Sequence, residues 1–334
     1  MKPHLTSLPC SDRETLSFEL FAFRFQFRAR TSLYFPAGKA GNIVRGALGR
    51  IFRKYACTPG CSGARVCEQR SSCAYARLFE PTAEPTAGAQ GPSGFADWPR
   101  PFVIRAGHLD ERRCRPGETF HFDLHVFEMR EPALAYFTFS FSQLMREGLG
   151  PGRAATELTA VYTLDSHGQE AARIFDGRAL LEPQPLILPL RPGSAAVRRI
   201  RIQFLSPTEL KGAGEINQQP EFGILFARAR DRLHNLRKLY GAGPLTFDFK
   251  AAGERARQVN LLNSQRLGRL TNAAVAGRDK RILWAGWWER QSTRATWANF
   301  CLTCTRPHGQ AWDVRQHGAK DISRQQFSIR NKKS

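Results

Sequence analysis

At 334 residues the chain is too long for one ordinary domain and suits two of medium size. Apolar residues make up 42% of it, with 24 Phe, which excludes a disordered tail or a fibrous repeat. Fifty Lys and Arg against 29 Asp and Glu leave a net charge of +21, so the expected partner is a polyanion, nucleic acid ahead of an anionic membrane.

The opening MKPHLTSLPCSDRETLSF lacks the continuous apolar stretch of a signal peptide, and no run of 18 apolar residues follows. The expectation is a cytoplasmic protein with no membrane span, its eight Cys reduced, buried or bound to metal. Residues Leu16–Arg28 read as a strand. Phe21, Phe23, Phe25 and Phe27 alternate with Ala22, Arg24, Gln26 and Arg28, and a change of phase near Leu20 suggests a bulge. A loop with Pro36, Gly38 and Gly41 leads to a helix expected to start at Asn42, its N-cap. Ile43, Ala47, Leu48, Ile51, Phe52 and Tyr55 fall on one face of that helix, and Arg45, Arg50, Arg53 and Lys54 spread over the rest. That basic rim is either solvated or turned toward RNA phosphate.

Residues 81–100 read as a loop, followed by strands at Phe102–Arg105, Thr119–Phe127 and Glu157–Leu164. Phe120, Phe122, Leu124 and Val126 form one face of the second of these, and His121, Asp123 and His125 the other. Leu134–Arg146 is ambiguous. Phe137, Phe139 and Phe141 alternate like a strand, while SQLMREGLG closes like a helix on glycine. Gly148–Arg153 is a glycine-rich turn, and the Pro-rich Leu180–Gly193 is the best domain boundary. A strand at Arg199–Leu205 and a basic amphipathic helix at Phe222–Leu239 open a second α+β unit.

Cys57, Cys61, Cys67 and Cys73 lie within 17 residues and can converge on one ion if the loop folds back. A structural zinc is the expected occupant, with an iron–sulfur cluster or plain buried thiols as the alternatives. Four thiolates leave no open position for water, so this metal would not be catalytic. The chain has no HExxH, P-loop or GxSxG motif. His121 and His125 share a strand face, where they can line an RNA-binding sheet, pair as acid and base, or simply be solvated. His108 follows a strand in a loop, where catalytic groups often lie. Trp284, Trp287, Trp288 and Trp297 lie among Arg290 and Arg294, a mixture that suits stacking on single-stranded RNA or a Trp-rich core.

FPAGKAGNIVRGALGRIFRKYAC, the four Cys, CAYARLFEP, GPSGFADWPRPFVIRAGHLD, REGLGPGR, LSPTELK and LWAGWWERQSTR follow in that order. Together, from about Phe18 to Arg294, they resemble the CRISPR-associated endoribonucleases of the RAMP superfamily, which process precursor CRISPR RNA in antiviral defence. The resemblance implies an α+β architecture of tandem ferredoxin-like (RRM-like) domains with a Cys-rich loop insertion. These would be residues 1–190, with the loop at 57–73, and 191–334. It also implies metal-independent cleavage of the CRISPR repeat, a 2′-hydroxyl attacking the adjacent phosphate to leave a 2′,3′-cyclic phosphate and a 5′-hydroxyl. No cofactor would be needed for catalysis. Where relatives carry a catalytic residue, this chain offers Tyr34 and Lys39, with His108, His121 or His125 supplying an imidazole. Lys39, Arg45, Arg50, Arg53, Lys54, Arg153, Lys211, Arg290 and Arg294 are the expected RNA contacts. The rival expectation is a non-catalytic RAMP subunit that holds guide RNA beside other effector subunits.

The tail departs from that resemblance. The family closes with a strand and a loop of the type GKxxxFGxG, whereas this chain ends ATWANFCLTCTRPHGQAWDVRQHGAKDISRQQFSIRNKKS. Read one nucleotide later, codons for Gly309 through Ala319 are able to encode GKRGTFGNMG. The expectation is a frameshift after about Arg294, which would leave the second domain incomplete and Cys301 and Cys304 accidental.

Overall fold

The computed structural model describes residues 17–57, 61, 63, 67–70, 72–81, 98–129, 133–190, 197–204, 210–212, 215–216, 219–270, 281–290, 313–314 and 327–330. Arg294, Trp297, Cys301, Cys304 and most of the expected 81–100 loop lie outside them. Among the described residues no helix is long and apolar enough to cross a membrane.

The first sheet is built around β1 (Ser17–Ala29). Phe21, Phe23, Phe25 and Phe27 enter the main core, the last three with no exposed surface. Phe18, Leu20 and Ala22 on the other face are buried as well, in a separate cluster. The change of phase near Leu20 therefore marks an end of the strand covered on both faces. Pairing is regular there, and the irregularity falls between Gln26 and Phe27. β2 (Leu33–Tyr34), α1 (Ala40–Ala56) and α2 (Ala74–Phe79) follow. Then come β3 (Phe102–Arg105), β4 (Arg113–Cys114), β5 (Thr119–Val126), α3 (Leu134–Ser142) and α4 (Leu144–Glu147). β6 (Thr156–Leu164), β7 (Glu170–Phe175) and β8 (Leu186–Pro189) complete the unit.

The strand order is β3-β5-β1-β6-β7, with every neighbouring pair antiparallel. Taken with the helices, β1-α1-β3-β5-α3-β6 is the ferredoxin-like succession. The helices cover the Phe face: Phe141 of α3 lies 4.8 Å from Phe25, and Phe52 of α1 lies 5.7 Å from Phe137. Each fully buried Phe contributes about 1.5–3 kcal/mol, so this aromatic layer dominates the unit's stability. β8 lies inside the Pro-rich stretch expected to be a linker and extends the sheet along Ser17–Leu20.

Two local expectations are corrected. α1 starts at Ala40, so Asn42 lies inside the helix. Its first amide, that of Ala40, donates to Asp110 Oδ1 at 2.9 Å from a distant loop. The ambiguous segment is helical. Phe137 and Phe141, four apart, are fully buried, while Phe139 is 46% exposed.

The second unit contains β9 (Arg199–Phe204), β10 (Lys211–Gly212) and β11 (Glu215–Ile216). α5 (Phe222–Tyr240), α6 (Phe249–Arg257), β12 (Val259–Leu270) and β13 (Arg281–Arg290) follow. β14 (Asp313–Val314) and β15 (Phe327–Arg330) come from the tail. The order β12-β13-β9-β15-β14 repeats the arrangement of the first sheet, with β15 in the fourth place. Ile200 and Ile202 pack with Phe222, Leu225, Phe226, Ala252 and Ala256. The units meet where Phe18, Leu20, Ala22 and Leu164 contact Leu236 and Tyr240 of α5.

Candidate functional site

The face of the first sheet opposite α1 and α3 carries the polar half of each alternation. On β1 these are Arg24, Gln26 and Arg28, and in β5 the register sets Asp123 beside Arg24 and His121 beside Gln26. Arg24 holds Asp123 with two hydrogen bonds of 2.9 and 3.3 Å and lies 3.5 Å from Glu170. Burial opposes the Arg24 charge, but the two carboxylates more than offset that and raise its pKa. Asp123 is itself buried, so the guanidinium is held in a fixed place beside His121, its charge offset by the two carboxylates.

His108 sits in a single turn of 3-10 helix, Gly107–Leu109, and folds over the sheet edge onto His121. The two imidazoles stack with centroids 4.5 Å apart. His108 Nε2 donates to the His121 carbonyl at 2.8 Å, which places the hydrogen on Nε2 and leaves Nδ1 with its lone pair. Burial lowers the His108 pKa. His121 is pushed down to about 4 by burial first, then by the charges of Arg24 and His108. Both rings are therefore neutral near pH 7, the form that accepts a proton.

Two loops frame this pair. The segment carrying Tyr34 and Lys39 is stitched to the segment carrying His108. Phe35 N–H donates to the Arg112 carbonyl at 3.0 Å, Glu111 N–H donates to the Phe35 carbonyl at 2.7 Å, and Asp110 caps α1. β2 pairs with β4 in the same junction, and the Arg113 guanidinium lies 4.6 Å above the Tyr34 ring. Tyr34 and Lys39 are exposed at this rim.

The structure brings His108 and His121 together and sets Tyr34 and Lys39 on the adjoining loop. His125 is separated. It shares the His121 face, but four residues along a strand is about 13 Å, with Asp123 between, so the two do not pair. The basic rim of α1 is separated too. Val44, Ala47, Leu48, Ile51 and Phe52 face the core, so Arg50, Arg53 and Lys54 look away from the sheet. Lys54 and Arg153 instead meet Glu147, at 2.7 and 3.8 Å. Arg45 is half-buried on α1. Lys211 and Arg290 are placed only as members of β10 and β13, and Arg294 lies outside the described residues.

Arg24, Asp123 and Glu147 were not among the expected site residues. Their signal was present as charged positions inside alternating strands and beside a glycine turn, but it names no partner.

Cys57, Cys61, Cys67 and Cys73 are half-buried free thiols. Burial, with Cys61 and Cys73 alongside, pushes the Cys57 thiol up to about 12. The Gly63 amide and then Cys57 lower that of Cys61. Cys57 thus has both Cys61 and Cys73 beside it, and Cys61 also meets Cys67. Among the described residues no three His, Cys, Asp or Glu side chains converge as a metal ion requires.

The family model AF_1859_N, described as an N-terminal domain, matches residues 18–186. No curated protein matches the chain. Among solved structures, a Cas6 product complex has 14% identity over 82% of this chain and 87% of its own, with a TM-score of 0.43. Thermus thermophilus Cas6 has 12% identity over 84% and 86%, with a TM-score of 0.40. A RAMP protein binding different RNA substrates has 9% identity over 80% and 87%, with a TM-score of 0.29.

Proposed function

The chain belongs to the AF_1859_N family, and we propose that this member binds RNA over the open face of its first sheet and cuts precursor CRISPR RNA within the repeat. The observation that carries the reading is the stacked, neutral His108–His121 pair beside the fixed Arg24–Asp123 ion pair, on a chain with a net charge of +21. The motif resemblance from Phe18 to Arg294 supports the choice of RNA.

In this reading a neutral imidazole takes the proton of a 2′-hydroxyl. The freed oxygen attacks the adjacent phosphorus and the bond to the 5′-oxygen breaks. A 2′,3′-cyclic phosphate remains on one fragment, and the other leaves as a 5′-hydroxyl once its oxygen is protonated. An imidazole titrating near 4 holds no proton to give at neutral pH and is a weak base, so His108, whose Nδ1 keeps its lone pair, is the proposed base and His121 the ring that positions it. Tyr34, on the stitched loop, is the proposed proton donor, and Lys39 is the proposed partner of the phosphorane charge.

The test is cleavage of the host's repeat RNA, labelled at its 5′ end, with chelator present. We expect a single cut that one 2′-deoxy substitution abolishes. His121→Asn and His108→Gln should slow it by about 10²–10⁴-fold, the usual span for a lost general base. Full activity in both variants would overturn the assignment. Tight binding with no cut in the unaltered protein would favour a guide-holding subunit.

A further inference from the structure

A second cationic site lies away from the histidines. A cleft of 810 Å³ opens between the start of α5, one side of α6 and the first residues of β12. Its volume falls within the ~300–1,000 Å³ range of small-molecule sites. Among the described residues, Arg228, Arg230, Lys250 and Arg257 line it against a single carboxylate, Glu221.

These cations differ in their commitments. Arg230 is held by Asp231 at 2.7 Å, donates to the Phe249 carbonyl at 3.2 Å and lies 4.9 Å from the Phe249 ring, so it forms a wall. Lys250 and Arg257 are exposed, and neither side chain makes a hydrogen bond or ion pair with another described residue. Gly223 allows Arg257 to lie close against α5, since a Cβ there would sit 3.0 Å from Arg257 Cγ. Phe222, Ile224, Val259 and Leu261 add an apolar strip to the lining. Two cations without an ion partner among the described residues, set in one cleft with an apolar strip, match a phosphate joined to a nucleoside.

We propose that this cleft binds a nucleotide phosphate, and that the nucleotide is an unpaired residue of bound RNA. The second clause rests on the RNA reading given above; the first does not. The same chemistry is offered by a free mononucleotide, which the test separates.

Affinity of the full chain is measured by anisotropy for labelled single-stranded RNA over a series of salt concentrations, and by calorimetry for AMP. The double variant Lys250→Ala/Arg257→Ala is compared with the unaltered chain, its fold checked by circular dichroism and its melting temperature. The expected result is at least a tenfold loss of RNA affinity, with the log–log salt slope reduced by about 1–2, one per phosphate contact removed. Loss of AMP binding with RNA binding unchanged would support the phosphate site and assign it to the free nucleotide. If the unaltered chain binds AMP but no RNA, the RNA reading fails and the cleft stands. Unchanged RNA affinity, salt slope and AMP binding in a folded variant would overturn the cleft and leave the sheet-face reading intact.

Discussion

His121 concentrates the chemistry of the open face in one ring. The folded imidazole titrates near 4 and the unfolded one near its ordinary 6.5. Between these values the unfolded chain binds a proton that the folded chain refuses. Stability is thus complete above about pH 6.5 and falls as the pH drops toward 4. Because the ring is only half-buried, the loss is about 1–2 kcal/mol and not the full value of the shift. Urea unfolding from pH 7.5 to 4.5 measures it. His121→Gln should flatten the His121 part of the slope, leaving the contribution of His108, which is lowered in the same direction. A slope identical to that of the unaltered chain would show that His121 is not shielded. Arg24 belongs to the same account. Its two carboxylates keep it charged and hold it in place beside the neutral ring, so it fixes the geometry of this face.

At the scale of elements, α3 gives the clearest test of packing against pattern. Phe141 lies 4.8 Å from Phe25 and 4.9 Å from Phe122 and is fully buried. Phe141→Ala should cost about 3–5 kcal/mol in chemical denaturation. Phe139 is nearly half exposed, with an edge contact to Tyr55 at 4.9 Å, so Phe139→Ala should cost about 1 kcal/mol or less. Equal costs at both positions would fit a strand, which the helix excludes. The sequence pattern alone could not decide, since Phe at 137, 139 and 141 satisfies period two while 137 and 141 satisfy the helical period. β1, β5, β6 and α5 were legible because each buries one continuous face. β8 was hidden by its prolines, and the start of α1 by a cap supplied 70 residues away at Asp110. The site was half legible for the same reason. Alternation put His121 and Asp123 on one face. The stacking of His108 and the pairing of Arg24 depend on register and loop closure, which no periodicity carries.

The whole molecule depends on how its two ferredoxin-like units are joined. Phe18, Leu20 and Ala22 lie on the face of β1 that, further along, carries Arg24 and Gln26. One strand face thus serves the junction at one end and the candidate site at the other. Tyr240 fastens the junction twice. Its hydroxyl donates to the Pro99 carbonyl at 2.7 Å, and its carbonyl accepts from the Met129 amide at 3.0 Å. Leu236 fills the apolar space beside it. Removing the hydroxyl with Tyr240→Phe deletes one neutral hydrogen bond and should cost about 0.5–1.5 kcal/mol without separating the units. Leu236→Asp is a different perturbation, because it buries a carboxylate among Phe18, Leu20 and Leu164. The junction should then open while each core keeps its own packing, as the two clusters share no residue. Calorimetry should show one transition for the unaltered chain and two for Leu236→Asp. A single transition at lower temperature would mean that the second unit cannot fold without the first. The RNA assay then reads the consequence for function. If the strand's two ends act together, opening the junction weakens repeat RNA binding even though no residue of the imidazole pair has changed.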